Sequence, residues 1–262
     1  METLGPYLRL GVRSSKNSAK KEILIEVLET FKRLANKLQP DKFIYDDPKK
    51  KDIDLISENE LRRVYTGEED LWLQNSKLNC YFQVNFTKNI KNPSHYVEFH
   101  LPINSILTEF SLQEFYEIFL KFIKLLRADN ASLSLVPHEG DWIKGRPNFI
   151  DYNGAVVTNS GSSTFKHISN IFWINYFSQI YLDSFNCNIN EAGFDEVTVF
   201  ENGVIARLGT NPEDPFKLDY LKRKGEIIQN LGEDLFYDRE NPLEMRLKGA
   251  RRKPNFDFHE LL

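Results

Sequence analysis

Cys80-Tyr81-Phe82-Gln83-Val84-Asn85-Phe86 alternates along its length, and Tyr96-Val97-Glu98-Phe99-His100-Leu101 alternates again. A period of two places Cys80, Phe82, Val84 and Phe86 on one face of a strand and Tyr81, Gln83 and Asn85 on the other. The polar stretch between the runs contains Asn92-Pro93, a turn-favouring dipeptide. The two runs therefore read as an antiparallel pair, and this pair sets the fold class.

Working outward, Leu8, Leu10 and Val12 alternate with polar or small neighbours, predicting a strand over Tyr7 to Val12. Leu24, Val27, Leu28, Phe31, Leu34, Ala35 and Leu38 then recur at helical spacing. Asp41 to Asp54 is charged and broken by Pro48, which predicts a loop. Ser57-Glu58-Asn59-Glu60 has capping-box spacing ahead of Leu61, Val64 and Tyr65, predicting a short helix. Ser111-Leu112-Gln113-Glu114 is a second such box, and it opens a helix with Phe115, Phe119, Phe122 and Leu126 on one face. Residues 1–130 thus read β-α-β-β-α, with the short helix inserted.

The following stretch has the same grammar: Ala131 to Val136 as a strand, His167 to Phe185 as a helix, then a hairpin of Glu196 to Phe200 with Gly203 to Leu208. The hairpin turn is Glu201-Asn202-Gly203, where Asn-Gly suits the positive-φ positions of a type I′ turn. Asp214-Pro215 offers an N-cap and a first-turn proline to a helix with Leu218, Leu221 and Ile228 on one face and Gly232 as its stop. Phe172, Trp173, Tyr176, Phe177 and Tyr181 make the helix expected there aromatic almost all round, as in a buried or interfacial helix. The expectation is an α+β fold with a mixed, largely antiparallel sheet or sheets packed against helices. Two β-α-β-β-α halves (1–130 and 131–235) and one continuous sheet both remain open, and 236–262 reads as a polar tail, mobile or loosely docked.

Composition narrows function. With 41% hydrophobic residues in 262, a core well above the marginal size can form without staples. Cys80 and Cys187 each stand alone, so no disulfide framework or cysteine-rich zinc site follows from spacing, and a reducing compartment is expected. Cys80 sits in an alternating apolar pattern and reads as a small core hydrophobe. Met1 to Leu10 lacks the pattern of a signal peptide, and polar residues interrupt each apolar run, so a cytoplasmic location without membrane spanning is expected. A net charge of −4 argues against direct nucleic-acid binding and favours a basic partner.

Catalytic motifs are missing: there is no phosphate loop, G-x-G-x-x-G, nucleophile elbow or H-E-x-x-H helix. His138-Glu139 comes nearest, but Gly140, Asp141 and Trp142 follow it, and Pro137 to Pro147 reads as a loop. His95 and His100 fall on opposite faces of one strand and cannot chelate one metal together. No catalytic residue, metal ligand or cofactor is therefore assigned, and Lys49-Lys50-Lys51 and Arg251-Arg252-Lys253 read as solvated basic runs. The acidic residues Asp46, Asp47, Asp52, Asp54, Glu68, Glu69 and Asp70 stand as the candidate partner-binding patch, meaningful if a basic partner exists.

Three segments together resemble the bacterial polymorphic-toxin immunity proteins, in particular the family called immunity protein fifty-two. They are Tyr7-Leu8-Arg9-Leu10-Gly11-Val12-Arg13-Ser14, then Phe172-Trp173-Ile174-Asn175-Tyr176-Phe177-Ser178, then Asn202-Gly203-Val204-Ile205 running towards Asn211-Pro212. The opening strand lacks the family's usual tryptophan, and a neighbouring type VI secretion immunity family is the nearest rival. The resemblance implies a cytoplasmic inhibitor, without catalytic residues, that binds and neutralises a cognate protein toxin, such as a nuclease effector delivered by a secretion system. Two alternatives stay open: an enzyme whose site assembles from distant residues such as His138, Glu139 and Asp141, and a nucleic-acid-binding module using a basic face.

Overall fold

A computed structural model of the chain describes residues 6–16, 21–34, 40–44, 71–86, 95–104, 111–136, 138–143, 146–150, 156–157, 168–236 and 252. In chain order the elements begin with β1 (Tyr7–Ser14), α1 (Lys21–Leu34), β2 (Lys42–Ile44), β3 (Leu71–Asn75), β4 (Cys80–Phe86), β5 (His95–Pro102), α2 (Leu112–Leu126) and β6 (Asn130–Val136). They continue with β7 (His138–Ile143), β8 (Arg146–Ile150), β9 (Val156–Val157), β10 (Ile174–Ser178), α3 (Gln179–Leu182), β11 (Glu196–Phe200), β12 (Gly203–Arg207) and α4 (Leu218–Leu231). The fold is α+β. Nine strands form one sheet in the order β11-β12-β10-β6-β1-β5-β4-β3-β2, and every ladder in it is antiparallel. Strands from 1–130 and from 131–235 share this sheet, while β7, β8 and β9 form a separate three-stranded one.

One face of the large sheet meets α1 and α2. Leu10 and Val12 of β1, Phe82 and Val84 of β4, Val97 and Phe99 of β5, and Leu133 of β6 pack there against Leu24, Val27, Phe115, Phe119 and Phe122. Burying side chains of this size contributes about 1.5–3 kcal/mol each, so this layer dominates the stability of the fold. The expected antiparallel pair is β4 with β5, in register from Tyr81 opposite His100 to Phe86 opposite His95. The Ser111 capping box forms in full: its hydroxyl accepts from Glu114 N–H, and the Glu114 carboxylate accepts from Ser111 N–H at 2.8 Å. Cys80 is buried in this core, and burial pushes its thiol up.

Several local expectations are corrected. Residues 174–178 form a central strand, and the helix expected over His167 to Phe185 is reduced to the single turn of α3. β10 pairs with β6 on one side and β12 on the other, and Ile174 to Ser178 are all buried. A strand covered on both faces shows no polar alternation, and its aromatic and β-branched residues suit a sheet better than a helix. Pro137 to Pro147 contains β7 and the start of β8 rather than a loop. Pro147 falls where the β7–β8 register shifts between Gly140 and Ile143, a bulge that tolerates its missing N–H. Within Asp41 to Asp54, Lys42 to Ile44 pairs with β3, a strand not foreseen at all.

The hairpin of β11 and β12 is present, but its turn is Glu201-Asn202, with Phe200 opposite Gly203. The positive φ (51°) falls on Glu201. Gly203 is needed for a different reason: a Cβ there would collide with the Phe177 carbonyl oxygen of β10. Asp214 does not cap α4, whose N-cap is Lys217; it opens a 3-10 turn with Pro215 and accepts from Thr210 and Asn211 N–H. Leu218 and Leu221 of α4 are exposed, at 82% and 47%. The core face of α4 is Ile227 and Leu231, packed with Phe177, Val204, Ala206 and Leu208 in a second core on the other side of the sheet. Gly232 ends the helix at a φ of 112°, as expected. Of the stretch read as a tail, Phe236 is buried and Arg252 is docked, its guanidinium bonding Asp234 and the Ser184 carbonyl. The described helices include none long and apolar enough to cross a membrane.

Candidate functional site

The sheet's second face is polar at its centre. With Leu8, Leu10 and Val12 turned towards α1 and α2, the alternation of β1 turns Tyr7, Arg9 and Arg13 the other way. Register then lines up rows across the strands. His100, Arg9 and Ser134 stand side by side; the next row is Gln83, Glu98, Gly11 and Ser132; the next is Asn85, Tyr96, Arg13 and Asn130.

Glu98 lies at the centre of these rows with a side chain 0% exposed. Arg9 grips it with two hydrogen bonds, Nε donating to Oε2 at 3.2 Å and Nη2 to Oε1 at 2.7 Å. Arg13 Nη2 donates to the same Oε1 at 2.8 Å, and its guanidinium lies 5.6 Å from the centre of the Tyr96 ring. His100 Nε2 is 3.6 Å from Oε2. A lone carboxylate this deep would be driven to protonate. Burial does push Glu98 up, but Arg9, His100 and Arg13 together outweigh it and hold the carboxyl well below its usual range. Burial lowers His100, partly offset by Glu98, and lowers His95 to about 4. Near neutral pH the group is one carboxylate held by two guanidiniums, with both imidazoles neutral. Its oxygens are already engaged, so the arrangement clamps β1 to β5 rather than offering a base to a substrate.

Arg9 also belongs to the wall of an adjoining crevice of about 50 Å³, lined further by Ser134, Val136, Trp173, Phe216 and Lys224. The Ser134 hydroxyl and the Trp173 indole N–H are shielded from solvent and have no hydrogen-bond partner among the described residues. A cavity of this size holds a few waters or the tip of one side chain. Buried carboxylate chemistry recurs at Asp129, raised by burial and partly countered by Ser15, whose backbone N–H donates to it at 2.5 Å. Among the described residues no group of three or more His, Cys, Asp or Glu side chains is arranged to hold a metal ion.

The acidic candidates Asp46, Asp47, Asp52, Asp54, Glu68, Glu69 and Asp70 lie outside the described residues, as do Lys49 to Lys51. His138, Glu139 and Asp141 fall on β7, in the small sheet, where only the backbone is described. His95 and His100 are on opposite faces only in the sense of strand alternation, since both are buried at 1% exposure. Sequence reasoning passed over Arg9, Arg13 and Glu98. Their polar alternation with Leu8, Leu10, Val12, Val97 and Phe99 looks like a solvent-facing side. The available signal was a carboxylate, Glu98, set between Tyr96 and His100 in a strand with bulky residues on both faces.

No family model matches the chain, and no curated protein does. Among solved structures the chain is similar to a Pseudomonas aeruginosa T6SS protein, at a TM-score of 0.58 and 13% identity, covering 97% of this chain and 91% of that one. The fold, with its sheet and flanking helices, is shared along nearly the full length of both.

Proposed function

We propose that this chain is a cytoplasmic immunity protein that binds and neutralises a cognate toxin delivered by a secretion system. The observation that supports the reading most is the fold shared over 97% of the chain with a T6SS protein, which agrees with the resemblance of three sequence segments to immunity families. The central charges of the sheet spend themselves on each other, as in a scaffold that acts by presenting a surface. In this reading the net charge of −4 steers association with a basic toxin surface, such as that of a nuclease, through Asp46, Asp47, Asp52, Asp54, Glu68, Glu69 and Asp70. The crevice beside Trp173 then takes one anchoring side chain of the toxin.

Growth rescue tests this directly. The product of the neighbouring gene, expressed alone, should arrest growth, and co-expression of the chain should restore it. Arrest that persists despite abundant folded protein contradicts the proposal and favours the enzyme alternative.

A further inference from the structure

The large sheet ends in two edges of different character. β2, at one end, is three residues long and begins with Lys42. β11, at the other, is a regular five-residue strand, Glu196-Val197-Thr198-Val199-Phe200, matched one for one with Arg207 to Gly203. It contains no lysine or proline, the usual guards of a sheet edge, and Val199 is 81% exposed.

The direction of its hydrogen bonds follows from the next strand. Leu208 N–H donates to the Trp173 carbonyl and Gln179 N–H to the Asn202 carbonyl. In an antiparallel ladder residues alternate in the side to which they bond, so Val204 and Ala206 turn their main-chain groups to β10, while Gly203, Ile205 and Arg207 turn theirs to β11. Phe200, Thr198 and Glu196 are their partners. The N–H and C=O of Val197 and Val199 therefore point outward, and no described strand lies on that side.

We propose that β11 pairs with β11 of a second copy of this chain, antiparallel about a twofold axis through Thr198, joining two sheets into one. The sequence is complementary to itself in that register. Val197 of one copy stands opposite Val199 of the other, and these are the residues with outward-pointing groups, so two reciprocal pairs give four main-chain hydrogen bonds. Thr198 meets Thr198 in the close, non-hydrogen-bonded position, a favourable cross-strand pair. Glu196 meets Phe200, so the carboxylates are never opposed. Opposed residues have the same parity, which keeps the two inner faces continuous. A contact of this kind is isologous and closes as a dimer. Its small area, below about 1,000 Å², makes it weak and concentration-dependent.

This inference stands apart from the toxin reading. Sedimentation equilibrium from about 10 μM to about 1 mM, the span in which a small interface assembles, should show the mass rising towards twice that of the monomer. Val199→Pro removes an outward N–H and no internal bond, so it should stay monomeric with unchanged far-ultraviolet circular dichroism. Val199→Lys, which guards the edge by charge, should do the same and covers the case in which the proline variant misfolds. A wild-type protein monomeric throughout, or a Val199→Lys variant as dimeric as wild type, overturns the proposal. A monomeric wild type whose toxin binding is lost in Val199→Lys also overturns it, in favour of a toxin strand at this edge.

Discussion

Replacing Glu98 by glutamine removes one buried negative charge and leaves two guanidiniums facing a neutral amide. The side chains of Arg9 and Arg13 are 10% and 17% exposed, so neither regains bulk water. At an effective dielectric of about 20, each guanidinium–carboxylate pair near 4 Å contributes about 4 kcal/mol. Two pairs therefore contribute about 8 kcal/mol, from which several kcal/mol must be subtracted for taking the carboxylate out of water. The expected loss for Glu98→Gln is about 3–5 kcal/mol, in the range measured when one partner of a buried pair is removed. Urea unfolding followed by circular dichroism reads this as a lower midpoint at unchanged slope, accompanied by a fall in Tm of about 10 °C. Glu98 is held below its unfolded value, so its contribution is present above about pH 4.3 and fades as pH falls further. The gap between wild type and variant should narrow on acidification accordingly. A loss under about 1 kcal/mol at neutral pH is the size of an exposed ion pair and would refute the buried-clamp reasoning.

Gly203→Ala should destabilise by at least about 2 kcal/mol, because the added carbon meets the rigid main chain of Phe177 and Ser178. Glu201→Gly should stabilise by about 1 kcal/mol by relieving its positive φ; paired urea curves showing the opposite signs would restore Asn202-Gly203 as the turn. Asp214 is held at about 2 by Lys217 and by Asn211 and Thr210 N–H. Its depressed value means a contribution present above about pH 4 and lost between about 4 and 2, so the difference in Tm between wild type and Asp214→Asn should close over that window. A difference constant down to pH 2 would remove the charge from the explanation.

Periodicity made the helix-covered face legible: Leu8 to Val12, Cys80 to Val84 and Phe115 to Leu126 each alternate or repeat against a single apolar layer. It failed where a segment is covered on both sides. Ile174 to Ser178 is apolar at Ile174, Tyr176 and Phe177, buried throughout, and so lacks the polar phase that separates a strand from a helix. The same double coverage hid the Arg9, Arg13 and Glu98 cluster, because polar alternation normally marks the solvent side. The Glu201-Asn202 turn was misplaced by one residue because turn propensity favours glycine for its φ, whereas Gly203 serves a close approach between strands. Ser134 and Trp173 line one crevice through the meeting of β6 with the segment before β10, a long-range placement that local sequence does not encode.

Calorimetric titration of the purified chain with the product of the neighbouring gene tests the central claim most directly. Saturable one-to-one binding is predicted, weakening as salt rises; a variant with Asp46, Asp47, Glu68 and Glu69 reversed to lysine should associate more slowly and with a shallower salt dependence. Absence of binding by folded protein, with that product's activity undiminished, would contradict the immunity function.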